Sequence, residues 1–252
     1  MNGAQGDVEK ALCIYHYYAV DNADIMVRLG RIYRDGRSVK KDLNKSAEWM
    51  RRAVEKSKNA GWANELIGIL SDIGTPESCN EMHAVALSFA KLGDGNAMGC
   101  LGRIYRDGRG VEKDLNKSVE WMRKAADKNV KWVKNELYDL LFERGNPNDF
   151  EDAVTIIKPL AEEGDGAAMW RLCCAYRNGM GVVKDVKKAN IWLKKAAFKG
   201  HGTATNTFFD IMWKEGTSED LVDAVAVVRI SAEKGNTKSI PALFDMYRVE
   251  GW

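Results

Sequence analysis

Apolar side chains along this chain recur three and four positions apart, in short runs separated by glycine, proline and acidic residues. That spacing gathers them on one face of an α-helix, where a strand would need strict alternation. Leu101, Ile104 and Tyr105 stand at i, i+3 and i+4 of one run, and Val119, Met122 and Ala126 form the apolar stripe of the next. Between them, Gly108-Arg109-Gly110 supplies a turn in which glycine can take positive φ, and Asp114 stands where a helix N-cap belongs. The pattern predicts two helices joined by a tight connection.

The same pair is written more than once. LGRIYRDGRSVKKDLNKSAEWMRRAV starts at Leu29 and LGRIYRDGRGVEKDLNKSVEWMRKAA at Leu101. Tyr33, Tyr105, Tyr176 and Tyr247 are separated by 72, 71 and 71 residues, and Trp49, Trp121 and Trp192 by 72 and 71. A weaker unit lies between the strong ones, because NELIGIL at 64–70, NELYDLL at 135–141 and NTFFDIM at 206–212 also keep a spacing of 71. Half of that period is the size of one helix pair, so the chain reads as a stacked-repeat protein. In the weak units Thr75-Pro76 and Asn146-Pro147 place a capping residue before a proline at the first helical position. The small residues of GDGNAM at 93–98 and GDGAAM at 164–169 predict close packing of one helix pair on the next.

This order of helix, Gly-x-Gly-Val turn, Asp, Lys, Trp and Ala-Ala resembles the Sel-one-like repeat family, relatives of the tetratricopeptide repeat. Strong copies fall near 25–58, 97–130 and 168–200, and degenerate copies without the Gly-x-Gly turn near 61–94, 132–165 and 203–236. Ser38 replaces the second turn glycine of the first copy. The resemblance implies an all-α fold for residues 1–252, a right-handed superhelix of antiparallel helix pairs with first helices lining the concave side. It also implies an adaptor for protein assembly. Residues 7–20 read as a second helix without its first, and 237–250 as a first helix without its second. Such partial units would expose Tyr15, Tyr18, Leu243 and Tyr247, so self-association through the ends is expected, or a longer parent protein.

Composition narrows the function further. Lys+Arg of 38 against Asp+Glu of 36 gives a net charge of only +2, which argues against bulk binding to nucleic acid. No stretch approaches the length of a membrane span, and the start lacks the charged and apolar regions of a signal peptide. The chain as given reads as cytoplasmic, although a secreted parent with a removed signal remains compatible. Five cysteines, at 13, 79, 100, 173 and 174, do not recur as a pair in each repeat, and they read as small buried hydrophobes with no disulfide framework. Cys13 and His16 lie at i, i+3, but with no second pair nearby a metal site is not expected. No nucleophile elbow, HExxH motif, paired CxxC or P-loop lysine is present, so neither catalysis nor a cofactor is expected.

The polar residues that recur with the repeat are the candidate site. Arg34, Arg106, Arg177 and Arg248 share one position, and Arg31 and Arg103 stand one turn earlier. Asn64, Asn135 and Asn206 form a matching series in the weak units, with Asp139 and Asp210 four residues after the last two. If first helices line one groove, the asparagines can bond both backbone groups of an extended peptide and the arginines can hold carboxylates or phosphates. Trp170 and Trp213 would anchor aromatic contacts there. A structural reading competes, in which Arg103 pairs with Asp139 and Asn135 ties repeat to repeat, and Trp49, Trp121 and Trp192 belong to the apolar stripe. The expected function is a non-enzymatic scaffold that binds a protein or peptide partner. The alternative is the helical-repeat part of a larger enzyme, such as one acting on bacterial cell-surface polysaccharide.

Overall fold

A computed structural model of the protein describes residues 2–36, 39–215 and 218–233, and every element among them is an α-helix. In chain order these are α1 (Asn2–Ala19), α2 (Ala23–Asp35), α3 (Leu43–Ser57), α4 (Ala60–Ile73), α5 (Pro76–Lys91), α6 (Gly95–Asp107), α7 (Leu115–Asp127), α8 (Lys131–Arg144), α9 (Pro147–Glu162), α10 (Gly166–Asn178), α11 (Val186–Phe198), α12 (Gly202–Glu215) and α13 (Ser218–Glu233). The strong copies are the pairs α2/α3, α6/α7 and α10/α11, and the weak copies are α4/α5, α8/α9 and α12/α13. Helix α1 stands alone at the N-terminal partial unit. The chain divides into two compact units, Met1–Val133 and Lys134–Trp252. Ser38, Leu243, Tyr247, Arg248 and the stretch 237–250 lie outside the described residues.

Each strong copy closes in the same way. Gly36, Gly108 and Gly179 end their helices at φ 69°, 69° and 72°, and each donates its N–H to the carbonyl four residues back. The chain then returns to the helix it has just left: the N–H groups of Asp42, Asp114 and Asp185 donate to the carbonyls of Tyr33, Tyr105 and Tyr176 at 2.8–2.9 Å. The same three aspartates cap the second helix, each accepting from the N–H three residues on. The second turn glycine has a different task. At Gly110 a Cβ would lie 2.6 Å from the backbone of Cys79, and at Gly181 it would lie 2.1 Å from the carbonyl oxygen of Phe150. The turn therefore rests directly on the first turn of the preceding weak helix, α5 or α9.

The core of each hairpin is a contact between three registers. Gly30 and Gly102 leave room for Met50 and Met122, while the buried hydroxyls of Ser46 and Ser118 donate to the Gly30 and Gly102 carbonyls at 2.7 Å. In the third copy all three positions change together, to Cys173, Leu193 and Ala189, and all three stay buried. A branched Leu193 stands in place of the long Met side chain opposite the added thiol, and the loss of the hydroxyl leaves no buried donor unpaired.

Two expectations need correction. Ala125 is fully buried and Ala126 only half-buried, so the apolar stripe of α7 runs through Val119, Met122 and Ala125. Among the cysteines only Cys173 is buried; Cys79, Cys100 and Cys174 are half-buried and Cys13 is exposed. Hydrophobic character alone did not place them, because a small side chain beside the apolar stripe loses little by facing water.

Candidate functional site

The recurring polar residues lie on the first helices of the pairs, where ion pairs reach from one pair to the next. In the first copy Arg31 holds Glu65 of α4 with two hydrogen bonds, one of 3.0 Å from Nε, and Arg34 Nη1 adds a third at 3.3 Å while its Nε bonds Asp35 at 2.9 Å. The bond from Arg31 holds the Glu65 carboxyl below the usual carboxylate range, against the opposing effect of burial. Beside this cluster Asn64 donates to Asp94 at 3.1 Å, and Asp94 also caps α6. The Asn64 amide oxygen is buried with no partner among the described residues.

In the second unit the centre is Arg171, a residue that sequence reasoning missed. Its Nε and Nη2 hold Asp139 at 2.9 and 2.6 Å, its Nη1 donates to Asn135 at 3.2 Å, and its guanidinium stands 5.7 Å from the Tyr138 ring centroid. Asn135 thus ties α8 to α10. Asp139 takes Arg171, and Arg103 lies over the Trp132 ring at 4.1 Å. Within the second unit the Asp139 ion pair runs from α8 to α10.

The other candidates are placed as follows. Arg106 bonds its neighbour Asp107 at 2.8 Å. Arg177 is half-buried, and its contact is with Asn190 of α11 at 3.4 Å. Asn206 and Asp210 are exposed on α12. Trp170 is half-buried and stacks on His201, with ring centroids 5.7 Å apart and planes 19° from parallel. The side chain of Trp213 falls outside the described residues. His16 meets the Tyr33 hydroxyl at 3.3 Å and the edge of Trp49, and no cluster of three metal-binding side chains occurs among the described residues.

A second ladder, on the second helices, was also missed. Arg51 holds Glu81 through two bonds of 2.7 and 2.8 Å, and Lys194 holds Asp223. Arg51, Arg123 and Lys194 recur at 72 and 71 residues, and Glu81, Asp152 and Asp223 at 71 and 71, so a search for charged partners at the repeat period would have found them. Trp49, Trp121 and Trp192 are half-buried, each with a cation over its ring, from Arg52, Lys124 and Lys195 at 4.8, 4.4 and 4.5 Å. Burial pushes the Cys173 thiol up to about 11 and raises that of Cys174, so both are held as thiols. No described helix is long and apolar enough to cross a membrane.

This geometry has clear relatives. The Sel1 repeat family model matches residues 23–58, 96–130 and 166–201, the three strong copies. A Sel1 repeat protein from Oxalobacter formigenes has a similar fold, with a TM-score of 0.65 and 22% identity over 85% of this chain and 88% of that one. A protective antigen of uropathogenic Escherichia coli with an SLR fold aligns at a TM-score of 0.53 and 19% identity over 98% of this chain. The chain spans 60% of the length of that antigen. No curated protein sequence matches the chain. The three strong copies are thus Sel1 repeats, and the chain shares the fold of these solved relatives.

Proposed function

We propose that this protein is a non-catalytic scaffold that binds segments of a protein partner on the polar faces that the first helices present within each of its two units. The observation that carries this reading is the fixed array of hydrogen-bonding groups there. Arg31 and Arg34 around Glu65, and Arg171 between Asp139 and Asn135, hold long side chains in defined positions before any partner arrives. Pre-ordered polar groups lose less rotamer entropy on binding than free ones. The thiols of Cys173 and Cys174, both raised by burial, suit packing better than nucleophilic chemistry.

The test is capture by the immobilised protein from a lysate of its own cells, compared with a variant carrying Arg34→Ala, Arg106→Ala and Arg177→Ala. The wild type should retain a defined set of proteins and the variant should lose them while keeping its helical circular dichroism. A wild type that retains nothing above bare resin, or a variant that retains the same set, would sink the scaffold reading.

A further inference from the structure

The three strong copies serve as references for one another, and the third departs from the others on one surface. In the first copy the arginine of the ladder, Arg34, meets two carboxylates, its neighbour Asp35 and Glu65 across the helix pair. The second copy repeats the neighbour, Arg106 with Asp107, and has Glu136 in the register of Glu65. In the third copy the arginine remains as Arg177, but Asn178 stands in the place of the aspartate and Thr207 in the place of the glutamate. Cys174 replaces the companion arginine. Arg177 is half-buried, and one long hydrogen bond to Asn190 stands where a carboxylate pair is found in the first copy. A guanidinium has five donors in a planar fork that matches a carboxylate, so most of its capacity is open.

The loop beside it changes in the same copy. Met180 and Val183 replace Arg109 and Glu112 of the second copy, and they are 39% and 89% exposed, with Val186 at 51%. This loop is folded against the end of α10, because the N–H groups of Met180 and Asp185 donate to the carbonyls of Ala175 and Tyr176. Exposed aliphatic side chains therefore stand at the same helix end as the arginine without a carboxylate.

We infer that the C-terminal end of α10 and the Met180–Val186 loop form a docking surface for an acidic and aliphatic segment of a protein partner, whose carboxylate takes the register that Glu65 fills in the first copy. The inference rests on the scaffold reading and deepens it by naming the copy and the partner's chemistry. Charge complementarity selects the occupant, since the chain itself shows a carboxylate on this arginine wherever one is supplied.

The probe is a fluorescein-labelled decapeptide of alternating Leu and Glu, followed by fluorescence anisotropy with the full chain. The Glu probe should bind, and its Gln counterpart should bind at least about tenfold more weakly, the scale of a charge-assisted hydrogen bond. Arg177→Met should weaken binding about tenfold or more, Met180→Ser with Val183→Ser should also weaken it, and Arg52→Met on α3, outside the binding face, should leave it unchanged. Thr207→Glu restores the missing carboxylate in the chain itself, so it should block the probe without lowering the melting temperature. Equal binding of Glu and Gln probes, tighter binding when phosphoserine replaces Glu, no binding up to about 1 mM, or indifference to both Arg177→Met and Thr207→Glu would each overturn the assignment. Lysate capture that survives Arg177→Met and Thr207→Glu would leave the scaffold reading standing and remove this one.

Discussion

Asp149 is the only charged side chain buried among the described residues, at 3% exposure, and it offers the sharpest energetic test of the fold. It lies in the first turn of α9, where Arg144 from the end of α8 holds both carboxylate oxygens at 2.6 and 2.5 Å. The first weak copy solves the same position without charge. Its register residues are Ile73 and Ser78, and the Ser78 hydroxyl donates to the carbonyls of Leu70 and Thr75 at 3.0 Å. Arg144→Ile alone leaves a carboxylate in a dry site without its cation, a loss of about 3–5 kcal/mol. The double change Arg144→Ile and Asp149→Ser rebuilds the neutral arrangement of the first copy and should fall within about 1 kcal/mol of wild type.

Urea denaturation followed by far-UV circular dichroism measures both. With a slope of about 2 kcal/mol per molar, the single variant should lower the midpoint of the affected transition by about 2 M, and the double variant should recover most of it. The resulting coupling energy should be at least about 2 kcal/mol and of the sign that marks mutual dependence. A single-variant shift below about 0.5 M, or a double variant as damaged as the sum of the singles, would refute the account of a buried pair.

Three other outcomes follow from the geometry. Gly181→Ala and Gly110→Ala combine a positive φ with a Cβ driven into the backbone of Phe150 or Cys79, so each should cost at least about 1–3 kcal/mol in the same assay; thermal shifts equal to those of exposed alanine substitutions would contradict this. Burial lowers the His83 and His201 imidazoles below their ordinary value near 6.5, so the unfolded chain binds more protons there, and stability should fall as the pH drops below about 6.5, an effect that His83→Phe should reduce; a pH-independent melting temperature between about 7 and 5 would be the opposing result. The exposed apolar face of α1, with Ile14 at 58%, Tyr17 at 76% and Tyr18 at 59%, should give concentration-dependent sedimentation that Ile14→Lys with Tyr18→Glu abolishes, and a monomer at every concentration would count against it.

What could be read from the sequence was the part set by neighbours along the chain. The turn at Gly108, the caps at Asp114, Thr75 and Asn146, and the stripe through Leu101 and Ile104 are decided within about one helical turn, and the structure places them as read. The ion pairs were not legible in the same way. Arg171 reaches Asp139 across 32 residues and Arg51 reaches Glu81 across 30, and those partners depend on how one helix pair seats on the next. A repeated arginine was visible, but its partner across the helix pair was not.

The copies also separate two kinds of change that a single sequence would blur. Gly to Cys173, Met to Leu193 and Ser to Ala189 differ together from the first two copies because they fill one volume, so each compensates for the others inside the core. Arg to Cys174, Asp to Asn178 and Glu to Thr207 also differ together, but among the described residues no carboxylate is shown on Arg177 in place of those that Arg34 uses, and Arg177 stands at the same helix end as the newly apolar Met180 and Val183. Compensation closes the first set within the fold. The second set is left open: Arg177 keeps its planar fork of donors half-buried, and the proposed acidic segment would supply the carboxylate that the first copy draws from its own chain.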